Sequence, residues 1–396
     1  MSFAAIKGKF KIGLLPKIVI AIFLGIICAK FFPLAITRIF ITFNVIFGNF
    51  LGFIIPLIIL GLVAPGIAEL GKGAGKLLGI TALIAYTSTI LAGFFSYYTC
   101  AFSYPMILDP SQGFNSLAGI ESVSLEPYIN LEIPATMSVT TSLVLAFVLG
   151  LALTAVQGNY LKNALTEFRD VITLVITKLI IPFLPLYIFS IFLKISAEGQ
   201  AGTILKLFIK VIIIIFIMHV LLLLIQFAIA GLVAKKNPIK ALINMLPAYF
   251  TALGTQSSAA TIPVTLERAK KNGVKEDLAG FVIPLCATIH LSGSTLKIVA
   301  CAFAILWMQG MPCGIDIFAG FIFMLGITMV AAPGVPGGAI MAALGLLSTM
   351  LGFDETLQGL MIALYITMDS FGTACNVTGD GAIALILNRI YAGKTN

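Results

Sequence analysis

The feature that most constrains this chain is a series of six long apolar segments in its first 233 residues. They lie near residues 12–33, 40–68, 76–105, 136–158, 163–196 and 203–233. A helix of about 20 apolar residues crosses the ~30 Å hydrocarbon core of a bilayer. Only 10% of all residues are charged, whereas a soluble domain needs about 25% to cover its surface. We therefore predict an all-α polytopic protein embedded in a lipid bilayer.

The basic residues lie mainly at the ends of these segments, so the net charge of +8 does not indicate nucleic-acid binding. Three lysines precede residue 12, whereas segment 106–133 carries acidic residues and no Lys or Arg. Basic loops remain on the cytoplasmic side of a membrane. The pattern predicts a multi-pass protein of the cell inner (plasma) membrane with cytoplasmic N- and C-termini and an extracellular 106–133 segment.

Two segments in the last third of the chain are too broken to be plain spans. Segment 240–270 places the polar stretch GTQSSAATIP between apolar arms, with cationic clusters at both ends. Segment 312–352 contains AAPGVPGG, in which Pro removes backbone donors and Gly favours turns. Broken backbone is tolerated at membrane depth only where it lines a cavity or is buried in protein. We interpret both segments as re-entrant helical hairpins that enter from opposite faces.

Each hairpin is followed by a helix with a polar interruption, CATIHLSGSTLK at 286–297 and MDSFGTACNVTGD at 368–380. A hairpin followed by a broken helix, occurring twice, is an inverted repeat, and such paired breaks indicate a transporter site near the bilayer midplane. The helix period places Asp369, Thr373, Asn376 and Asp380 on one face. Carboxylates beside hydroxyl and amide groups suit an ammonium group or a small cation. The alternative is that local donors satisfy these carboxylates for the fold alone.

Helix N-termini at the hairpin tips, near Ser257 and Ser258 and near Gly337, can bind an anion such as a carboxylate. Lys297 lies in an apolar stretch and needs a partner, for which Asp369 and Asp380 are the candidates. An intramembrane enzyme using Cys286, His290 or Ser292 is disfavoured, because no nucleophile–base–orienting triad is recognisable. We predict a transporter and not an enzyme.

Three motifs in order, TQSSAATIPVTLERAKKNGV, AAPGVPGG and NVTGD, resemble the dicarboxylate/amino acid:cation symporter family, the glutamate transporter family. The resemblance covers nearly the whole chain and is sharpest over residues 240–390. It implies eight transmembrane helices, two re-entrant hairpins, a homotrimer and an elevator mechanism. It also implies a scaffold of helices 1–2 (residues 1–75) and helices 4–5 (106–200). The implied transport domain comprises 76–105 and 201–396, with hairpins near 240–270 and 312–352, helix 7 near 274–308 and helix 8 near 356–393.

The resemblance assigns Asp369 to the substrate amino group and Asp380 to a sodium ion. The implied substrate-binding residues are Ser257, Ser258, Ser294, Gly334, Val335, Gly337, Asp369, Gly372, Thr373 and Asn376. The implied cation-binding residues are Asp380, Asn376, Cys286, His290, Thr288, Thr87 and Ser88.

Two departures from the family pattern predict a changed substrate and changed coupling. Gly372 replaces the arginine that pairs with an acidic substrate's side chain, and Tyr365 replaces that arginine's supporting aspartate. An unpaired buried charge is costly, so a neutral amino acid is the expected substrate, in a divergent member resembling neutral amino acid transporters. His290 and Ser292 replace the usual Asn and Asp, so fewer Na⁺ ions, or H⁺, would couple transport, with His290, Ser292 and Lys297 as candidate coupling residues.

The sequence alone leaves two kinds of alternative function open. One is a sodium-independent or proton-coupled transporter or exchanger of an amino acid or carboxylate with the same fold, and a channel-like protein belongs to the same group. The other is the disfavoured intramembrane enzyme.

Overall fold

The computed structural model describes residues 14–71, 76–109, 126–156, 158–197, 199, 201–332 and 336–392, and its regular elements within these ranges are helical. The first seven helices are α1 (Leu14–Cys28), α2 (Leu34–Gly71), α3 (Lys76–Ile107), α4 (Val139–Ala155), α5 (Tyr160–Val175), α6 (Ile181–Ala197) and α7 (Ala201–Ala234). A single π-helical turn, Ile176–Ile180, joins α5 to α6.

The last third of the chain contains shorter helices with closely spaced breaks. They are α8 (Pro238–Thr255), α9 (Ser258–Lys271), α10 (Glu276–Ile289), α11 (Ser292–Met308), α12 (Ile315–Val330), α13 (Gly338–Leu351), α14 (Glu355–Thr367) and α15 (Asp369–Ala392). The breaks between α10 and α11 and between α14 and α15 fall at the two polar interruptions predicted from the sequence.

Five helical stretches in the described residues are long and apolar enough to cross a membrane. They are Leu34–Ala68, Leu77–Ile107, Tyr160–Ala197, Ile204–Ala234 and Glu276–Met308. The α14–α15 pair, bent by 61°, makes a sixth if it is counted as one span. The prediction of an all-α polytopic membrane protein is confirmed, while the count of eight spans and the re-entrant path of the hairpins stay predictions.

The arms of each predicted hairpin pack against each other, α8 on α9 and α12 on α13. Gln256 ends α8 in the left-handed region with φ of 53°, and the Ser257 side chain then accepts a hydrogen bond from the Ala260 N–H at the start of α9. Gly337 has φ of 75° immediately before α13, a conformation that costs glycine little. The first cap turns the chain sharply between α8 and α9, and Gly337 leads the chain into α13.

The helices pack in two groups, and one large hydrophobic core contains residues from both of them. α1 packs on α6, and α2 packs on α4, α5 and α6. In the second group α3 packs on α11 and α12, while α15 packs on α7, α8, α9, α10 and α11. The residues of α11 from Ser292 to Leu306 are all buried, which places a helix with a lysine and several hydroxyls in the protein interior.

Candidate functional site

Both hairpin tips contact the first residues of α15. The backbone N–H of Gly337, at the tip before α13, donates to Asp369 Oδ2 at 2.7 Å. The side-chain amide of Gln256, at the tip between α8 and α9, donates to Ser370 Oγ at 3.1 Å. Because the chain bends sharply at Met368, the N-terminal end of α15 faces these partners. The two hairpin tips and the helix break at Met368, which the sequence predicts to lie near one site, are therefore adjacent in the fold.

Asp369 forms a buried ion pair with Lys297. The Lys297 ammonium lies 2.9 Å from Asp369 Oδ1, and the exposed fractions of the two residues are 0% and 4%. The same nitrogen lies 3.5 Å from the centroid of the Tyr365 ring and 3.4 Å from the Met368 carbonyl oxygen. A buried charge is tolerated when it is paired and hydrogen-bonded. Of the two partners predicted for Lys297, the fold selects Asp369.

Gly372 provides the space through which the lysine side chain passes. A Cβ atom at Gly372 would lie 2.8 Å from Nζ, 2.9 Å from Cε and 3.2 Å from Cδ of Lys297. The sequence predicts that no positive charge lies near Gly372 to pair with an acidic substrate, and this expectation needs correction. A cation lies beside Gly372, but it comes from α11 and it is already paired with Asp369.

Asn376 holds the beginning of α11 against α15. Its side-chain oxygen accepts the backbone N–H groups of Gly293 at 2.8 Å and Ser294 at 3.2 Å. Its amide nitrogen donates to Ser294 Oγ at 3.1 Å, which also accepts the Tyr365 hydroxyl at 3.2 Å. The first N–H groups of a helix need such acceptors. The Asn376 and Ser294 side chains are thus engaged with each other, and Thr373 is buried on the same helix.

Asp380, one helical turn beyond Asn376, belongs to a second polar network. His290 Nδ1 lies 2.9 Å from Asp380 Oδ1, and Nε2 of the same ring lies 3.0 Å from Ser88 Oγ. The Gln226 amide donates to Ser88 Oγ and to Ser292 Oγ, both at 3.1 Å. With Nδ1–H donating to the carboxylate, a neutral imidazole accepts the Ser88 hydroxyl. The network joins α3, α7, α11 and α15 through the broken turn at His290.

Two oxygen atoms of this network suit a small cation. Asp380 Oδ2 and Gln226 Oε1 are buried and have no hydrogen-bond partner among the described residues. A buried carboxylate oxygen without a partner is costly, and hard cations prefer oxygen ligands. A Cβ atom at Gly379 would lie 2.8 Å from both Gln226 Oε1 and His290 Cε1, so these groups are neighbours. Asp380 Oδ2 and Gln226 Oε1 are therefore candidate oxygen ligands for a small cation.

A cavity of about 370 Å³ borders the network between α3, α7 and α15. Its polar lining comes from Thr87, Ser88 and Gln226, while the rest of its wall is mainly apolar. The cavity reaches the network from the side of α3, so Ser88 and Gln226 are not sealed in the core.

The sequence profile of the sodium:dicarboxylate symporter family matches residues 14–390. This chain belongs to that family. The symporter is 27% identical to the serine/threonine transporter SstT of Acinetobacter baumannii (strain AYE) over 384 residues, or 93% of this chain and 95% of the relative. It is 26% identical to SstT of Acinetobacter baylyi over 410 residues, covering 97% and 98% of the two chains.

A shorter match joins the symporter to excitatory amino acid transporter 3 of the mouse, at 35% identity over 154 residues. This match covers 38% of the symporter and 28% of the mouse protein. The predicted membership of the glutamate transporter family is confirmed, and with it the prediction that the chain is a membrane transporter and not an enzyme.

The other residues assigned by resemblance make contacts outside the hydrogen bonds of this polar network or lie outside the described residues. The exposed Thr288 donates to its own helix at Leu285 O, 2.7 Å away. The Cys286 carbonyl accepts the His290 N–H at 2.8 Å within α10. Thr87 lies in the cavity wall. Gly334 and Val335 lie outside the described residues.

Two residues of the site were missed by sequence reasoning. Gln226 is the single amide in the apolar run LLLLIQFAIA of α7, and such a residue in a membrane helix is a signal for function. Gln256 adjoins the two serines of the first tip, and no pattern distinguishes it from a turn residue. Its contact with Ser370 arises only once α8, α9 and α15 have packed.

Proposed function

We propose that this symporter carries a neutral amino acid across the cytoplasmic membrane together with a cation. The observation that carries the proposal is the Lys297–Asp369 pair, which gives the substrate region one positive and one negative charge. A zwitterionic amino acid leaves that balance unchanged. An acidic amino acid adds a negative charge for which the region has no free countercharge among the described residues, and burying such a charge is costly.

In this proposal the substrate ammonium binds Asp369, and the substrate carboxylate binds backbone N–H groups near the hairpin tips. The N-terminus of α9, which begins at Ser258 after the cap residue Ser257, presents a partial positive charge to a carboxylate. Thr373 and Ser294 lie on the adjoining helices and supply hydroxyls to the same region. Two relatives that align with this chain over nearly their whole length are named serine/threonine transporter. Serine and threonine are neutral, so they are the first substrates to test.

For the cation, Asp380 is the proposed ligand, because its buried Oδ2 atom has no hydrogen-bond partner among the described residues. Na⁺ is the cation that the family's name suggests. His290 already engages Asp380 Oδ1, and Ser292 brings no carboxylate, so fewer Na⁺ ions would bind than the family pattern implies. The imidazole contact also favours the second candidate, a proton-coupled or sodium-independent transporter of the same fold.

The proposed movement is that of an elevator within a homotrimer of the inner membrane, with both termini cytoplasmic. The helix packing supports a division into a scaffold of α1, α2 and α4–α6 and a transport domain of α3 and α7–α15. Contacts of α13 with α2, and of α14 with α1 and α6, would form the sliding boundary. The corresponding chain ranges are 1–75 and 106–200 for the scaffold and 76–105 and 201–396 for the transport domain.

Uptake of labelled serine into proteoliposomes, with sodium and proton gradients imposed separately, tests the coupling. We expect an inward Na⁺ gradient to drive accumulation and a proton gradient alone to drive little, because Asp380 presents a free oxygen to a cation. Accumulation driven only by protons would select the second candidate. Serine uptake that is saturable yet indifferent to both gradients would refute cation coupling.

A further inference from the structure

Both carboxylate oxygens of Asp369 have partners within the protein. Asp369 Oδ1 accepts the Lys297 ammonium at 2.9 Å, and Oδ2 accepts the Gly337 N–H at 2.7 Å. We infer that the Lys297 ammonium occupies the place of the substrate amino group when the carrier is empty, and that this lets the unloaded transporter reorient. The inference rests on the proposed function, because it requires the substrate ammonium to bind Asp369.

The buried Asp369 carboxylate needs a positively charged partner. A carboxylate near the membrane centre is tolerated when it is paired. With a zwitterionic substrate bound, the substrate ammonium can supply the partner of Asp369. Without substrate, Lys297 is the cation that the described part of the chain places on this carboxylate. Removal of Lys297 would leave the empty carrier with an uncompensated buried charge, which is strongly unfavourable.

The hairpin that precedes α13 contacts the same carboxylate. Its tip is joined to α15 through the Gly337 N–H bond to Asp369. Because Lys297 holds the other oxygen of the same carboxylate, it fixes the orientation of the acceptor that this tip needs. The lysine therefore supports the contact between Gly337 and α15.

The Lys297 ammonium has other partners besides Asp369. Its stem lies over Gly372, where the absence of a Cβ leaves room for the chain. The face of the Tyr365 ring lies 3.5 Å from Nζ, and the Met368 carbonyl oxygen lies 3.4 Å away. A cation over an aromatic ring remains stabilised. The ammonium already contacts both groups, so these two partners remain when a substrate ammonium takes its place at Asp369.

Lys297→Met separates this role from a structural one, because Met keeps the apolar stem and removes the charge. We expect net uptake of serine into serine-free proteoliposomes to fall by at least about tenfold, since breaking a buried pair hinders only the empty carrier. Serine–serine counterflow, in which the carrier always crosses loaded, should fall by a clearly smaller factor than net uptake, and the Kd for serine should decrease because its competitor is gone.

Lys297→Arg keeps the charge and should restore net uptake. The matched control is Lys210→Met in α7, where the lysine ammonium donates to the Ile107 carbonyl oxygen instead of a carboxylate. Lys210→Met should leave the ratio of net uptake to counterflow unchanged.

A second variant covers the case in which Lys297→Met does not fold. Gly372→Ala keeps every charge but places a methyl group 2.8 Å from the ammonium, so it should displace the lysine and reduce net uptake more than counterflow. Equal loss of both activities in well-folded variants, or net uptake at the wild-type level in Lys297→Met, would overturn the inference. Absence of serine counterflow in the wild-type protein would instead refute the proposed function, and the inference with it.

Discussion

Replacing Asp369 by Asn is expected to reduce the affinity for a neutral amino acid by at least about 30-fold. The removal of one partner from a buried, hydrogen-bonded charge pair costs about 2–5 kcal/mol, and each 1.4 kcal/mol is a factor of ten. Asp369 is only 4% exposed, so water cannot replace the lost contact. The neutral amide of Asn also loses the attraction for the substrate ammonium.

The single variant leaves Lys297 without its carboxylate, which could unfold the protein for a reason unrelated to substrate. The double variant Asp369→Asn with Lys297→Met removes both charges and keeps the side-chain volumes. We expect it to be monodisperse in detergent and to show no serine binding by isothermal titration calorimetry.

Asp354→Asn is the matched control for this substitution. Asp354 caps α14 by accepting the Leu357 N–H at 2.8 Å, and Asn caps helices equally well. Its affinity for serine should equal that of the wild type. Wild-type affinity in the folded double variant would mean that Asp369 does not hold the substrate ammonium.

Asp380→Asn is expected to lower cation-driven accumulation of serine by at least about tenfold while counterflow persists. The side-chain oxygen of Asn can still accept the His290 hydrogen bond. What the substitution removes is the negative charge and the unpartnered Oδ2 atom, which are the features that attract a cation. The loss should therefore fall on coupling rather than on the fold.

The comparison is the ratio of accumulation to counterflow, measured in the same proteoliposomes with and without an inward Na⁺ gradient. Asp354→Asn again serves as the control, since its hydrogen bond survives the change. An Asp380→Asn variant that still accumulates serine in response to sodium would show that the cation binds elsewhere.

Residues on one helix were the most predictable part of the site. The helix period placed Asp369, Asn376 and Asp380 on a common face, and each of them has a partner at or near the start of α11. The broken helices were also predictable, because Gly, Pro and small polar residues interrupt apolar runs at those positions. A lone lysine in an apolar run indicates a buried partner. The sequence alone did not decide whether that partner is Asp369 or Asp380.

Contacts between distant segments were not predictable in the same way. Lys297 and Asp369 are 72 positions apart, and their pairing depends on how α11 packs beside α15. For the same reason Gly372 looked like an empty position, whereas the lysine from the neighbouring helix fills it. His290 and Asp380 are 90 positions apart, and the imidazole reaches the carboxylate because α10 ends at Ile289.

The central claim is that the paired charges of Lys297 and Asp369 select a zwitterion without a net charge. Equilibrium binding of serine, threonine, aspartate and glutamate to the purified wild-type protein, in sodium and in a sodium-free buffer, tests it most directly. We predict binding of serine or threonine that strengthens in sodium, and no measurable binding of aspartate or glutamate. Binding of an acidic amino acid alone would contradict the claim.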